Sequence, residues 1–235
     1  MATQRPTFII QNCPAESAGT TRDYLRLRQR PFREIVTYQG GALPDPDDIG
    51  AVINLGCPHP AARYHEHQYL KDLFSFVRQV AEKDLPYLGL CFGGQILALA
   101  LGAEVTANPV KEIGVNDIRL TESGLRDPLF RGFDRSFQVF HWHGDSFGVP
   151  ATARLLAYGE DCHNQVFVSG RAYAMIFHLE VDPEEVPCWC DAYSDELAEF
   201  GKTKDEIIEA YRPIAAQTRA LNFRLLDNFF ELFGL

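Results

Sequence analysis

One cysteine stands where a strand would turn sharply into a helix. The apolar run 86–90 ends at Cys91, small residues follow it, and Ile96 to Leu101 has a helical pattern. Such a turn needs glycine where a Cβ would clash, and it lifts one side chain above the carboxyl edge of a sheet. The amino end of the next helix favours the thiolate, the form that attacks carbonyl carbon. We therefore expect Cys91 to be a nucleophile, with a buried structural thiol as the alternative.

A nucleophilic cysteine needs a base, and His178 stands out among the seven histidines. It follows the apolar run 172–177 and precedes Glu180 by two residues. Side chains two apart in an extended segment share a face, so Glu180 can bind one ring nitrogen while the other nitrogen faces the thiol. Without Cys91 this pair would be an ordinary polar strand end. With Cys91 it predicts a nucleophile, a base and an orienting carboxylate.

These residues lie in motifs that resemble the class I (triad) glutamine amidotransferases. Residues 89–95, Gly-Leu-Cys-Phe-Gly-Gly-Gln, match the family's G-x-C-x-G-x-Q elbow, and residues 178–180, His-Leu-Glu, match its H-x-E element. Residues 140–145, Phe-His-Trp-His-Gly-Asp, are similar to the segment on the other side of the glutamine pocket. The order and spacing agree from about Thr7 to Asp182. Within this family, the chain resembles a free-standing member that is similar to the glutaminase of GMP synthase.

The resemblance implies hydrolysis of the side-chain amide of L-glutamine. Cys91 would form a γ-glutamyl thioester, His178 would protonate the departing ammonia, and Glu180 would hold the imidazole. Ammonia would pass to an unidentified acceptor, for which a separate synthase or acceptor subunit is the expected partner. A γ-glutamyl peptide or amide hydrolase with the same triad is one alternative. A non-catalytic binding or regulatory module is the other.

The resemblance also assigns the oxyanion hole and the substrate pocket. The backbone N–H of Phe92 would stabilise the oxyanion together with that of Gly56 or Cys57, between which the sequence gives no choice. The residues that would recognise the amino-acid end of glutamine are Gln95, Trp142, His143 and Gly144. A helix-capping or solvated role is the alternative for Gln95.

Two positions depart from the family pattern. Leu179 stands where the family usually has proline, a residue that would fix φ. Cys57 stands at the second glycine of a loop that is usually Gly-Gly-Pro, and non-glycine residues at positive φ are uncommon. Both substitutions lie at positions where the backbone conformation is closely constrained, and they therefore favour the non-catalytic alternative.

No metal or other cofactor is expected. His141 and His143 would share a face of an extended strand, which is compatible with a metal ligand pair or a second base. We prefer a role in the pocket wall, because the family resemblance needs no metal. Cys188 and Cys190 are separated by one residue, which does not fit the spacing of zinc sites.

The order of the elements predicts an α/β fold. In the first half, helical patterns at 20–29 and 64–83 alternate with β-rich runs at 7–11, 34–37, 51–55 and 86–90. This alternation indicates a mostly parallel open sheet flanked by helices, flavodoxin-like and of the class I glutamine amidotransferase type.

The second half of the chain has a different pattern. Short β-rich pieces between 115 and 177 predict a small antiparallel extension that returns His178 to the edge of the sheet. Apolar residues at helical spacing after Pro183 predict that 183–235 is a C-terminal helical extension. We expect this extension to pack on a single domain that comprises residues 1–235.

Composition is typical of a globular cytoplasmic enzyme. The chain of 235 residues can form one α/β domain with a substantial core. Its formal net charge of −10 argues against non-specific binding to nucleic acid or anionic membranes. It has neither a secretory signal pattern nor an apolar run long enough to span a bilayer, so we expect a cytoplasmic location. The oligomeric state stays open, and a homo-oligomer is compatible with the sequence.

Overall fold

The structure, a computed structural model, describes residues 5–235. Within this part of the chain, one mixed sheet contains nine strands. The strands are Thr7–Gln11 (β1), Phe32–Val36 (β2), Ala51–Asn54 (β3), Tyr87–Leu90 (β4), Val105–Leu120 (β5), Ser136–Phe147 (β6), Arg154–Tyr158 (β7), Val166–Ser169 (β8) and Ala172–Met175 (β9). The α-helices are Gly19–Leu27 (α1), Gln68–Glu82 (α2), Phe92–Ala100 (α3), Glu122–Arg126 (α4), Val186–Ala192 (α5), Ser194–Phe200 (α6), Lys204–Tyr211 (α7) and Ala215–Leu232 (α8).

The sheet is half parallel and half antiparallel. Its strand order is β2-β1-β3-β4-β9-β8-β7-β5-β6. In this spatial order, the four neighbouring pairs between β2 and β9 are parallel. The four pairs between β9 and β6 are antiparallel. The prediction of an α/β sheet flanked by helices is confirmed, and the predicted mostly parallel sheet with a small antiparallel extension is only partly supported, because the nine-stranded sheet is mixed. The long β5–β6 pair makes the antiparallel part as extensive as the parallel part.

Helices cover both faces of the parallel half. Successive residues of a strand point to opposite faces, so Ile9 of β1 packs into one core and Ile10 into the other. The first core contains apolar side chains of α1 and α8, and the second contains those of α2 and α3. Burial on both faces is the usual environment of parallel strands, which explains why these strands read as continuous apolar runs.

A third core joins the last helices to the antiparallel half. Phe140 of β6 packs edge-on against Trp189 of α5 and Tyr211 of α7, with ring centroids 5.9 and 5.1 Å apart. The buried hydroxyl of Tyr211 donates a hydrogen bond of 2.6 Å to the carbonyl of Val181. The segment after Pro183 is therefore held against the sheet by both apolar and polar contacts.

The parallel strands end at the same edge of the sheet, and the loops that follow three of them carry residues singled out from the sequence. Gly56 follows β3, Cys91 follows β4, and His178 follows β9. Carboxyl ends of parallel strands are where α/β folds place ligand sites. No α-helix between residues 5 and 235 is long and apolar enough to cross a membrane.

Replacement of Gly93 by alanine is expected to destabilise the protein by about 3 kcal/mol or more, since the new Cβ would lie 2.1 Å from the carbonyl oxygen of Asn54. Backbone on both sides of this contact leaves little room for adjustment. Gly148→Ala is the control, because its Cβ would meet its nearest neighbour at 3.4 Å. Urea unfolding of both variants measures the difference, and equal stabilities would show that the α3–β3 contact is not tight.

Candidate functional site

Cys91 has a strained backbone at the junction of β4 and α3. Its φ of 48° and ψ of −108° lie in a region that non-glycine residues rarely adopt. Glycines allow the close approach that holds it there. A Cβ on Gly89 would lie 2.5 Å from the backbone of Gly93, and one on Gly94 would lie 2.7 Å from the carbonyl oxygen of Met175. The turn predicted from the sequence is thus built by close backbone contacts.

The thiol of Cys91 is buried and forms part of the pocket wall. Its Sγ lies 3.8 Å from the carbonyl oxygen of Trp142, to which it can donate. Burial raises the pKa of the thiol, and this effect outweighs the opposite influences of His178 and of the N–H of Phe92. The sequence led us to expect a thiolate from the helix terminus. Burial instead favours the neutral thiol, because an apolar enclosure penalises the charged form.

His178 and Glu180 form a buried hydrogen-bonded pair. The imidazole Nδ1 lies 2.5 Å from Glu180 Oε1. Glu180 Oε2 accepts a second hydrogen bond of 3.0 Å from the backbone N–H of Leu179. Proline at this position would lack that donor. Leu179 therefore helps to orient the carboxylate, and the departure from the family pattern does not disrupt the pair.

Backbone pairing fixes the position of His178 in the sheet. Its N–H donates to the carbonyl of Phe140 at 2.8 Å, and its carbonyl accepts from the N–H of Phe140 at 3.2 Å. These two bonds form an antiparallel bridge to β6. The histidine backbone is therefore anchored beyond the end of β9, where the imidazole can face the elbow.

The second ring nitrogen of His178 is available for chemistry. Nε2 is buried and has no hydrogen-bond partner in the described part of the chain. Burial acts to lower the pKa of His178, but the charge of Glu180 and the interactions with Cys91 and Glu180 raise it well above its ordinary value. The imidazole consequently has a higher proton affinity than a free histidine. In its neutral form, Nε2 can accept the thiol proton as the sulfur attacks.

The backbone donors predicted for the oxyanion hole make no backbone hydrogen bonds in the described part of the chain. Within residues 5–235, the N–H groups of Gly56, Cys57 and Phe92 donate to no backbone carbonyl. Cys57 is absent from the non-glycine residues that have positive φ in this part of the chain. The concern that cysteine would be strained at this loop position is therefore removed. All three candidates for the oxyanion hole keep an available N–H.

A cleft of about 220 Å³ contains the thiol. Its wall includes the four residues predicted for the amino-acid end of a substrate, namely Gln95, Trp142, His143 and Gly144. The amide Nε2 of Gln95 donates to the carbonyl of Asp145 at 3.2 Å, so this side chain links α3 to the end of β6. The structure thus brings Cys91 and these four residues to one cleft, while His178 and Glu180 are buried and do not line it.

Glu112 joins His141 and His143 in a buried cluster. It is the one group in the described residues with three possible ligand atoms within 4.8 Å of one another. His143 Nε2 lies 2.8 Å from Glu112 Oε2, and His143 Nδ1 lies 3.1 Å from the carbonyl oxygen of Asp145. Gln165 donates to the same carboxylate oxygen at 2.9 Å. These contacts form a buried polar cluster, of which His143 also lines the cleft.

Several residues of the cleft escaped the sequence-based reasoning, among them Glu16 and Tyr193. Glu16, on the loop after β1, is buried, and Tyr193 donates to its Oε1 at 2.8 Å. One signal could have found Glu16, since it follows a parallel strand whose carboxyl end lies at the same edge as Cys91. Tyr193 lies just before α6, and no motif marks it. Its position depends on how the last helices pack.

Comparison with known proteins identifies relatives of the chain. Residues 49–186 match the model of the family described as glutamine amidotransferase class-I. The glutamine amidotransferase-like protein YfeJ of Salmonella typhimurium is 32% identical over 197 residues, which cover 78% of this chain and 79% of that protein. GMP synthase of Caldanaerobacter subterraneus is 29% identical over 116 residues, covering 48% of this chain and 22% of that enzyme. One GMP synthase subunit of Ignicoccus hospitalis is 32% identical over 103 residues, covering 43% of this chain and 53% of its own length.

The fold is also similar to solved structures. A glutamine amidotransferase from Thermotoga maritima superposes with a TM-score of 0.89 at 29% sequence identity. The superposition covers 97% of this chain and 99% of the other. The likeness therefore includes both halves of the sheet and the last helices, and α6 to α8 lie beyond the segment 49–186 that the family model matches.

The buried histidine His141 is expected to make stability depend on pH. Burial lowers its pKa from 6.5 to about 3. Between these values the unfolded chain binds a proton that the folded chain does not, so the free energy of unfolding falls as pH falls below 6.5. This one group contributes a slope of up to about 1.4 kcal/mol per pH unit.

His141→Asn should flatten the dependence of unfolding free energy on pH between 6.5 and 5, where carboxylates contribute less. Urea unfolding at several pH values measures the slope for each protein. The exposed His65 provides the control, since His65→Asn should show the same dependence of unfolding free energy on pH as the unaltered protein. Parallel profiles for all three proteins would contradict the expected role of His141.

Proposed function

The chain belongs to the class I glutamine amidotransferase family, and we propose that it hydrolyses the side-chain amide of L-glutamine with Cys91, His178 and Glu180 as catalytic residues. The observation that carries the proposal is the geometry of His178. Glu180 holds its Nδ1 at 2.5 Å, its buried Nε2 has no hydrogen-bond partner among the described residues, and the imidazole interacts with the buried thiol of Cys91. This arrangement supplies a nucleophile, a base and an orienting group.

The first half of the proposed reaction forms a γ-glutamyl thioester. The sulfur of Cys91 attacks the amide carbon while His178 Nε2 takes the thiol proton. Charge then develops on the amide oxygen, and the N–H of Phe92 with that of Gly56 or Cys57 can stabilise it. His178 returns its proton to the departing nitrogen, so the C–N bond breaks and ammonia leaves.

The second half restores the enzyme. Water attacks the thioester carbon while His178 accepts one of its protons, and the C–S bond breaks to release glutamate. The thiolate of Cys91 is reprotonated by the same imidazole. Burial of the thiol supports this order of events, because a neutral resting thiol needs a base in each turnover.

The pocket residues support glutamine as the substrate. Gln95 and the backbone at Trp142, His143 and Gly144 lie in the wall of the same cleft as the thiol. We assign them to the amino-acid end of glutamine. Polar groups that converge on a cleft of this kind fix the orientation of a ligand more than they add to its affinity.

The non-catalytic alternative loses the two features that favoured it. Leu179 supplies a hydrogen bond to Glu180 that proline could not make. Cys57 retains a free N–H, and its φ is not positive. Both departures from the family pattern are thus compatible with an intact site.

The proposed fate of ammonia is delivery to an acceptor on a separate subunit. The relatives include GMP synthases, one of them built from separate subunits. This chain matches 22% of the length of one such synthase. Release of ammonia into solution is the first half of such a transfer and can be measured without the acceptor.

Cys91→Ala is expected to abolish release of ammonia and glutamate from L-glutamine. Glu180→Gln should lower kcat by about 10³-fold or more, because the amide can hold the imidazole in the wrong tautomer and cannot stabilise its charge. Coupled assay of glutamate with purified proteins measures both effects. The exposed Cys188 provides a matched control, and Cys188→Ala should keep the activity of the unaltered protein.

Mass spectrometry of the quenched reaction tests the intermediate separately. The unaltered protein should carry a γ-glutamyl group on the peptide that contains Cys91, and Cys91→Ala should carry none. Equal turnover by the unaltered protein and Cys91→Ala would contradict the proposal, as would a γ-glutamyl group on any other cysteine.

A further inference from the structure

We propose that Glu16 binds a cationic leaving group, so that the protein prefers γ-glutamyl amides of diamines over γ-glutamyl amides of uncharged amines. This inference rests on the proposed function, because it uses the same thiol, base and pocket. It extends the substrate class from glutamine to amides whose leaving amine carries a second, positively charged amino group. Glu16 is a specificity-determining residue in this proposal.

The carboxyl of Glu16 is buried but only half satisfied. Its side chain forms part of the cleft, and the residue is 6% exposed. Tyr193 donates to Oε1 at 2.8 Å, whereas Oε2 has no hydrogen-bond partner in the part of the chain that the structure describes. A buried carboxylate oxygen without a donor is costly unless a ligand supplies one. A protonated amine would supply both a donor and a compensating charge.

The position of Glu16 selects the leaving group rather than the glutamyl end. A Cβ on Gly56 would lie 1.7 Å from Glu16 Oε2 and 3.5 Å from His178 Cε1, so the carboxylate and the base lie beside the same loop. His178 delivers the proton to the leaving nitrogen. The amino-acid end is assigned to Gln95 and residues 142–144, on α3 and β6.

The charges of the cleft also favour a cation. Glu16, Asp145 and Glu196 all contribute to its wall. Among residues 5–235, Lys111 is the one lysine or arginine that lines this cleft, and its Nζ lies 3.3 Å from the carboxylate of Glu199 outside it. Among the described residues, Lys111 is shared with Glu199, and His178, whose charge reaches Glu16, is shared with Glu180. A cationic ligand would therefore complement the field of the acidic side chains.

Glu16 and Tyr193 lie outside residues 49–186, the segment that matches the family model. The triad candidates Cys91, His178 and Glu180 all lie inside that segment. The general hydrolytic chemistry and the acidic subsite are thus carried by different parts of the chain. This separation is expected if the residues outside the matched segment determine which amide binds at the catalytic site.

Burial raises the pKa of the Glu16 carboxyl, while the charge of His178 and the hydrogen bond from Tyr193 oppose the effect. A bound ammonium would favour the ionised form for the same reason that His178 does. Selection should therefore depend on the charge of the leaving group and not on its length alone.

Two substrates of equal size test the proposal. γ-L-Glutamyl-1,3-diaminopropane and γ-L-glutamyl-n-butylamide differ at the end of the chain, where an ammonium replaces a methyl group. We expect kcat/KM of the unaltered protein to be at least about tenfold higher for the diamine derivative, with glutamate release as the readout. The ratio of the two kcat/KM values cancels any general change in catalysis.

Glu16→Gln should reduce this ratio to about one, because the amide keeps the size and loses the charge. Glu209→Gln removes the same charge from an exposed position on α7 and should keep the ratio of the unaltered protein. A ratio near one in the unaltered protein, or an unchanged ratio in Glu16→Gln, would overturn the inference. Hydrolysis of L-glutamine with no cleavage of either amide would overturn it while the proposed function stands.

Binding provides a readout that does not need turnover. In a Cys91→Ala background, calorimetry should show at least about tenfold tighter binding of the diamine derivative than of the butylamide. Adding Glu16→Gln to this background should remove the difference, and circular dichroism checks that the double variant is folded. Equal binding of the two amides by Cys91→Ala would overturn the inference.

Discussion

The close approach of the first turn of α3 to its neighbouring strands is the constraint on which the site depends. Cys91 keeps a positive φ because the close backbone contacts on both sides of it exclude other backbone conformations. Strain of this kind costs about 1–3 kcal/mol and persists only where the surroundings over-determine it. Those surroundings are glycine contacts with β3 and β9, including Gly93 at the carbonyl of Asn54. The same contacts set the position from which the thiol meets His178.

Burial then decides the electrostatics of the site. Burial raises the pKa of the Cys91 thiol. Burial alone would lower the pKa of His178, but the charge of Glu180 acts against it and the pKa is raised. A buried polar network supports the loops that carry these groups. Asn12 donates to Asn54 at 2.8 Å, Asn54 donates to Tyr87 at 2.9 Å, and Tyr87 donates to the carbonyl of Gly93 at 2.7 Å. The chain just after β1, the last residue of β3, the first residue of β4 and the first turn of α3 are therefore joined by hydrogen bonds.

Local patterns predicted the elements of the parallel half and the three triad candidates, since each depends on a short segment. The extent of the antiparallel half could not be predicted in the same way. β5 and β6 pair over a long register that shifts between Ala107 and Glu112, which interrupts any simple alternation. Glu16 and the raised pKa of Cys91 were missed because both depend on packing between distant segments. The role of Leu179 appeared only when its N–H was seen to reach Glu180.

The pairing of β4 with β9 has a consequence for folding kinetics. Tyr87 pairs with Ala172 and Leu90 with Met175, so this one contact closes a very long segment of chain. Contacts of such sequence separation form slowly, because the entropy of closing the loop is lost before the contact contributes. The strands from β5 to β8 lie within that loop and continue the sheet from β9. The elbow and the base are consequently expected to meet late, when most of the sheet has already assembled.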